Sequence, residues 1–223
     1  MKNSFLFIMV FLETHQARTQ SSGGVGQYYY MRTNEASTVV PVAYYQFSNK
    51  WYGEARYNYD ELKTFAIYAG RTFSNKGELS YSATPVIGGL VGRMNGGSLG
   101  VNFDLEYKKL FFSSQSQYSF SMEEKKNQFF FNWSELAYKA WPWFYAGIGM
   151  QQTNVYQANG KFEPGLLVGF SLKNWTFPLY VFSPSGNNRY FILGINWEWE
   201  HVKKVNKQID VTSIKSENEA AVK

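Results

Sequence analysis

Leu99-Gly100-Val101-Asn102-Phe103-Asp104-Leu105-Glu106-Tyr107 alternates without a break between large apolar side chains and polar or absent ones. Leu99, Val101, Phe103, Leu105 and Tyr107 make one face; Gly100, Asn102, Asp104 and Glu106 make the other. Successive side chains of an extended chain leave it on opposite sides, so this period of two predicts a strand with one apolar and one polar face. Phe191-Ile192-Leu193-Gly194-Ile195-Asn196-Trp197-Glu198-Trp199 repeats the pattern, with Asn196 and Glu198 on the polar side. So does Trp51-Tyr52-Gly53-Glu54-Ala55-Arg56-Tyr57-Asn58-Tyr59, where Glu54, Arg56 and Asn58 share a side.

Outward from these stretches, the same period runs from Gly24 to Trp199 and helical spacing is hard to find. Strand candidates are 24–33, 38–47, 51–59, 63–73, 77–86, 97–107, 109–120, 127–137, 142–153, 161–172, 174–183 and 188–199. Twelve units share 176 residues, between 14 and 15 each. A membrane-spanning strand takes about 9–11 residues, which leaves about four for a turn. Eight strands would demand long loops that the turn residues do not announce, while ten or fourteen remain open. The expected fold is all-β, a closed antiparallel transmembrane barrel of about twelve strands.

The connections alternate in kind. Every second one is tight and carries lysine: Ser48-Asn49-Lys50, Ser74-Asn75-Lys76-Gly77, Lys108-Lys109, Tyr138-Lys139-Ala140 and Lys173-Asn174. Between them, 87–96, 121–126, 154–160 and 184–187 read as longer loops, with short exceptions near Asn34-Glu35 and Asp60-Glu61. Short turns at one end and longer loops at the other are the habit of a membrane barrel. Tryptophan agrees. Trp51, Trp141, Trp143, Trp175, Trp197 and Trp199 all fall at the end that holds both termini, as an interfacial aromatic girdle would; only Trp133 is mid-strand. Two strands resist. In 127–137 either Phe129, Phe131, Trp133 and Glu135 share a face or Phe130, Asn132, Ser134 and Leu136 do, and neither set is clean; in 63–73 the face of Phe65 and Ile67 also carries Arg71. Pro41, Pro85, Pro164 and Pro178 lie in strands and cannot donate to a ladder, which is tolerable near strand ends.

Composition narrows the chemistry. Of 223 residues, 43 are aromatic (7 Trp, 17 Tyr, 19 Phe), none is cysteine and two are histidine. Disordered chains are poor in aromatics, and a chain without cysteine has no disulfides, thiol catalysis or Cys-based zinc sites. A net charge of +5 is too mild to suggest nucleic acid. Met1-Lys2-Asn3 leads into the apolar run Ser4–Leu12, too short for a transmembrane helix and suited to an export leader. Residues 1–22 are therefore expected to be a signal peptide with its cleavage site open, the alternative being a buried first element of a cytosolic domain. Residues 201–223 are polar and aperiodic, and read as a disordered periplasmic tail behind a barrel at 23–200.

The alternating strands, lysine turns and closing Gly194-Ile195-Asn196-Trp197-Glu198-Trp199 resemble a bacterial outer-membrane β-barrel, porin-like and small; Tyr68-Ala69-Gly70-Arg71-Thr72-Phe73 is also similar to uncharacterised members. The resemblance implies the outer membrane as location, its lipid bilayer and assembly machinery as partners, and small solutes as possible cargo. Family barrels usually stop at the terminal aromatic, whereas this chain continues 24 residues past Trp199. The family also contains a phospholipase with a Ser–His–Asn arrangement, but His15 falls in the expected leader and His201 beyond the last strand, so no base reaches a strand serine. No catalytic residue, metal site or cofactor is expected.

Two features are left for function. The polar faces place Glu54, Arg56, Asn58, Asn102, Asp104, Glu106, Asn196 and Glu198 toward a lumen, with Glu200 beside them, and acids outnumber bases. Charged rings bias ion passage, which favours a narrow channel with a mildly acidic lumen; the same charges could instead pair into a plug. The stretch Val86-Ile87-Gly88-Gly89-Leu90-Val91-Gly92-Arg93-Met94-Asn95-Gly96-Gly97-Ser98 matches no phosphate-binding pattern; it reads as a surface loop, or as a loop folded into the pore with Arg93 as its charge. The competing functions are a non-conducting anchor that binds through its loops and a soluble lipocalin-like barrel with reversed faces.

Overall fold

The computed structural model describes residues 20–32, 36–123, 128–156, 160–186 and 188–202. Thirteen strands follow in order: β1 (Gln20–Arg32), β2 (Thr38–Gln46), β3 (Trp51–Tyr57), β4 (Thr64–Arg71), β5 (Phe73–Asn75), β6 (Leu79–Gly92), β7 (Gly96–Tyr107), β8 (Leu110–Ser121), β9 (Phe129–Trp141), β10 (Phe144–Val155), β11 (Lys161–Leu172), β12 (Trp175–Phe182) and β13 (Tyr190–Val202). Sequence neighbours pair antiparallel except β4 and β5, which both pair with β6; β1 pairs with β13, and the β4–β6 pairing closes the sheet on itself. β5 is the end of β4. The register is the same on both sides of the gap, Gly70 opposite Val86 and Phe73 opposite Ala83. Pro85 has no N–H to give where Arg71 would face it, and the ladder lapses there. The wall therefore has twelve staves, as the alternation predicts.

Most predicted boundaries fall within a few residues of the observed ones. The exception is 87–96, expected to be a long loop. β6 runs to Gly92 and β7 starts at Gly96, leaving a turn of Arg93, Met94 and Asn95. Ile87, Gly89 and Val91 are exposed on the outer face while Leu90 between them is buried inside, as in any other strand, and Gly92 takes the φ of +140° that starts the turn. Pro85 is consequently in mid-strand and not near an end. β1 begins at Gln20, inside the stretch expected to be a leader, and β13 extends to Val202, inside the expected tail. Residues 1–19 and 203–223, with most of both segments, lie outside the described residues, as do parts of 121–127 and 154–160.

The tight turns at the terminal rim use lysine where a left-handed residue is needed: Lys50, Lys108 and Lys173 have φ of 69°, 56° and 53°. Outside, the barrel is apolar. Ile67, Ile87, Leu99, Ile148, Leu166 and Phe170 are among many large hydrophobic side chains left exposed by the wall. In water such a surface would drive aggregation; in a bilayer it is the contact with lipid. Among the described residues no helix is long and apolar enough to cross a membrane.

Candidate functional site: the filled lumen

The alternation points two different populations inward. Toward the rim that holds the termini the inward side chains are polar and reach water: Asp104, Glu106, Lys139 and Glu198 are exposed. Toward the other rim the interior is packed. Tyr68, Leu90, Met94, Phe129, Phe131, Trp133, Leu167, Tyr180, Phe182, Tyr190 and Ile192 are buried and form one cluster across the lumen. Trp133 lies edge-on to Tyr180 and Phe182 at 5.1 and 5.2 Å, its indole N–H donates to Glu135 at 2.6 Å, and the Tyr180 hydroxyl donates to the same carboxylate at 2.7 Å. A barrel of twelve staves is wider than the eight-stranded kind that side chains fill easily. Here large aromatics supply the missing volume.

The polar part of the packing centres on Arg56, which is 2% exposed. Its Nε and Nη2 donate to the Glu54 carboxylate at 2.6 and 3.0 Å, and its Nη1 donates to the Gln117 side-chain carbonyl on β8 at 2.8 Å. Two rings cover its planes, Tyr59 at 4.5 Å and Tyr68 at 4.6 Å. The Tyr52 hydroxyl adds a bond to Glu54 at 2.8 Å. Asp60 lies 3.8 Å from Nη1, accepts from the Tyr68 hydroxyl at 2.9 Å and from the Gln117 amide, and leaves Oδ2 buried without a partner. A guanidinium offers five donors in a plane and two faces for stacking, so this set meets most of what it needs away from water.

Tyr59 and Asp60 are not on a strand. They ride on the 58–63 connection, which bends into the lumen far enough for Tyr59 to donate to Gln115 at 2.6 Å and to meet Phe131 edge-on. The loop that narrows the barrel is therefore 58–63, one of the two short exceptions among the longer loops, and not 87–96. Arg93 is exposed at the rim, 3.6 Å from Glu61 of that same connection, with its backbone N–H on the Lys63 carbonyl. Met94, next to it, is the buried side chain of the turn, its N–H on the Thr64 hydroxyl at 3.1 Å.

Asn58, expected to face the lumen, instead ends the strand. Its φ of 59° breaks the alternation, and its side chain binds the Val39 carbonyl at 2.9 Å and the Lys63 N–H at 2.7 Å. Glu54 and Arg56 come together in the constriction. Asp104, Glu106 and Glu198 stand apart from it in the open half, Glu106 held by Lys139 at 2.8 Å. Asn102 is half-buried between Thr84 and Gln115 on the neighbouring strands, and Asn196 lies over Gly26 with its side-chain oxygen unpartnered. Arg71 faces outward beside Trp51 and the terminal rim. The tryptophans form a discontinuous belt there: Trp141 stacks on Trp143 at 5.8 Å, Trp143 on Phe170, and Trp175, Trp197 and Trp199 follow one another at 6.3 and 4.7 Å. Trp51 is the sixth, on β3.

Gln117, Asp60, Tyr59, Tyr68, Glu135 and Trp133 went unread as a group. Trp133 carries a signal, being the one tryptophan away from the terminal rim; Gln117, the cross-lumen partner of Arg56 and 61 residues from it, carries none.

A closed barrel with an apolar outside, one aromatic rim and a lumen pinched by its own side chains has the fold of the porin-like outer-membrane β-barrels. Among solved structures it is similar to the KdgM porin, with a TM-score of 0.56 and 10% identity over 78% of this chain and 98% of that one. The KdgM porin in complex with disordered oligogalacturonate gives a TM-score of 0.57 at 9% identity. The NanC porin gives 0.54 at 8%, covering 81% of this chain and 100% of that one. No protein-family model and no curated protein sequence matches the chain.

Proposed function

We propose that the protein is a narrow outer-membrane channel for small hydrophilic solutes or ions, closed at rest by the Arg56 layer and mildly favourable to cations. The observation that carries this reading is the split lumen: a water-exposed, acid-rich half with Asp104, Glu106 and Glu198 leads to a constriction of packed side chains and the inward-bent 58–63 connection. Two of those side chains, Tyr59 and Asp60, sit on one short connection. Movement of 58–63 would withdraw a ring and a carboxylate from Arg56 and open a path without disturbing the wall. Acidic groups at the entrance attract cations and repel anions. An acidic chain such as the oligogalacturonate named with KdgM would meet like charge here. An export leader in the first residues and the outer-membrane assembly machinery would deliver the barrel to its bilayer.

The second reading, a non-conducting barrel, draws support from the packing of the inner half. Planar-bilayer recording of the refolded protein separates the two. A channel gives small unitary steps, and a salt gradient gives a reversal potential of cationic sign that weakens when Asp104 and Glu198 are replaced by Asn and Gln. Inserted protein that never passes current supports the anchor.

A further inference from the structure

Polar side chains on the outer wall are otherwise scattered, such as exposed Gln27 on β1, but on three adjacent strands they cluster. On β8, β9 and β10 the outward side chains include Ser114, Ser116, Asn132, Ser134 and Gln152, and the register makes them neighbours: Ser114 faces Ser134, Ser116 faces Asn132, and Asn132 faces Gln152. Their outward direction follows from the alternation. Phe131, Trp133 and Ala137 are buried in the lumen, so Asn132 and Ser134 point the other way, together with exposed Leu136; Gln152 shares its face with exposed Ile148. The patch lies within the apolar belt, not beyond it. Along the same faces, Phe112, Leu136 and Ile148 flank it toward the terminal rim and Tyr118 and Phe130 toward the other.

Lipid offers such groups no partner, and some have found their own. The Asn132 amide donates to the Ser116 hydroxyl at 2.8 Å, to the Ser114 hydroxyl at 3.0 Å and to the Gln115 carbonyl at 3.3 Å, while Ser134 donates to its side-chain oxygen at 2.9 Å. Ser114 and Ser134 also share a bond at 2.9 Å. Asn132 is only 8% exposed as a result. Gln152 is different: among the described residues no hydrogen bond reaches its side chain, and it stands half-exposed at the edge of the cluster. An amide with two donors and an acceptor, left in the apolar belt beside a shelf of serines, is costly in contact with lipid alone.

We propose that this patch is a self-association surface, and that its occupant is the same patch on a second copy of the chain. Every copy enters the membrane in one orientation, so a two-fold axis along the bilayer normal brings identical residues together at identical depth. Amides and hydroxyls both donate and accept, which makes the patch complementary to itself. The serines keep the wall low, so a second wall can come close enough for Gln152 to reach across, as small and polar residues permit between membrane segments. The inference does not depend on whether the lumen conducts.

The absence of cysteine makes the test clean. Met150, outward between Gln152 and Ile148, is replaced by Cys, as is Leu193 of β13 in a second, control variant. Membranes holding each full-length protein are oxidised, and heat-modifiable migration certifies that the barrel is folded. A cross-linked dimer is expected for Met150→Cys and not for Leu193→Cys. It should be lost when Asn132→Leu and Gln152→Leu are added, and kept when Leu179→Ala, distant from the patch, is added. Equal or absent cross-linking at the two sites, or a Met150 dimer indifferent to the leucine substitutions, overturns the proposal. So does native mass spectrometry showing monomer alone with lipopolysaccharide bound in a manner that the leucine substitutions abolish.

Discussion

Arg56 is held on every side: Glu54 takes two of its hydrogens, Gln117 a third, and two tyrosine rings close its faces. A buried ion pair of this kind is poor evidence of net stabilisation, but breaking it from one side leaves a charge without a partner. Arg56→Met should accordingly cost roughly 3–5 kcal/mol, read as a lower urea midpoint of the refolded barrel by tryptophan fluorescence, whereas Glu54→Gln with Arg56→Gln should cost clearly less. At the rim the imbalance runs the other way. Lys108 adopts a left-handed φ of 56° that glycine or asparagine accepts more easily. Lys108→Gly should stabilise the barrel by ~1 kcal/mol, read as a higher urea midpoint. Both lysine turns and the inward pair Glu54 and Arg56 were legible in the sequence, because turn chemistry and alternation are local. Asn58 was misread for the same reason: a residue in the strand period gives no warning that its φ will flip and its amide will close a turn.

At the level of the strand, the interior aromatics lie flat because the stave beside them is bare. Tyr44 is directly opposite Gly24, Tyr68 opposite Gly88 and Tyr145 opposite Gly169, and in each pair a Cβ on the glycine would run into the ring. This is how glycines in a barrel strand are covered by a cross-strand aromatic. Gly169→Val should force Tyr145 off the wall and cost about 1–3 kcal/mol, with a changed near-ultraviolet circular dichroism as its sign, while Gly53→Ala, where no atom lies within 4 Å of a new Cβ, should be tolerated. Sequence alternation found the staves well but not all their ends. The 87–96 segment hid a strand behind glycines that act as inward or small positions, not as turn residues. The ambiguity of 127–137 was real and not noise: its inward face carries Trp133 and Glu135 and its outward face Asn132 and Ser134, so neither could have been clean.

For the molecule as a whole, the aromatic surplus divides by location. Six of the seven tryptophans lie at one rim and Trp133 in the lumen, many phenylalanine and aliphatic side chains clothe the outside while Phe129, Phe131 and Phe182 pack within, and Tyr28, Tyr30, Tyr44, Tyr52, Tyr59, Tyr68, Tyr145, Tyr180 and Tyr190 face the interior. That the lumen would be polar was legible; that its inner half would be filled was not, since crossing contacts such as Arg56 to Gln117 join residues 61 apart in sequence. Closure by side chains, with passage dependent on the Arg56 layer, can be put to a direct test. Single-channel currents are recorded from the refolded full-length protein and from a Glu54→Ser, Arg56→Ser double variant that removes both partners of the pair. Rare, small, cation-preferring steps are expected from the first and distinctly larger, longer openings from the second. Identical silence from both, in bilayers where insertion of folded barrel is verified, would mean that the layer is structural and the barrel is not a channel.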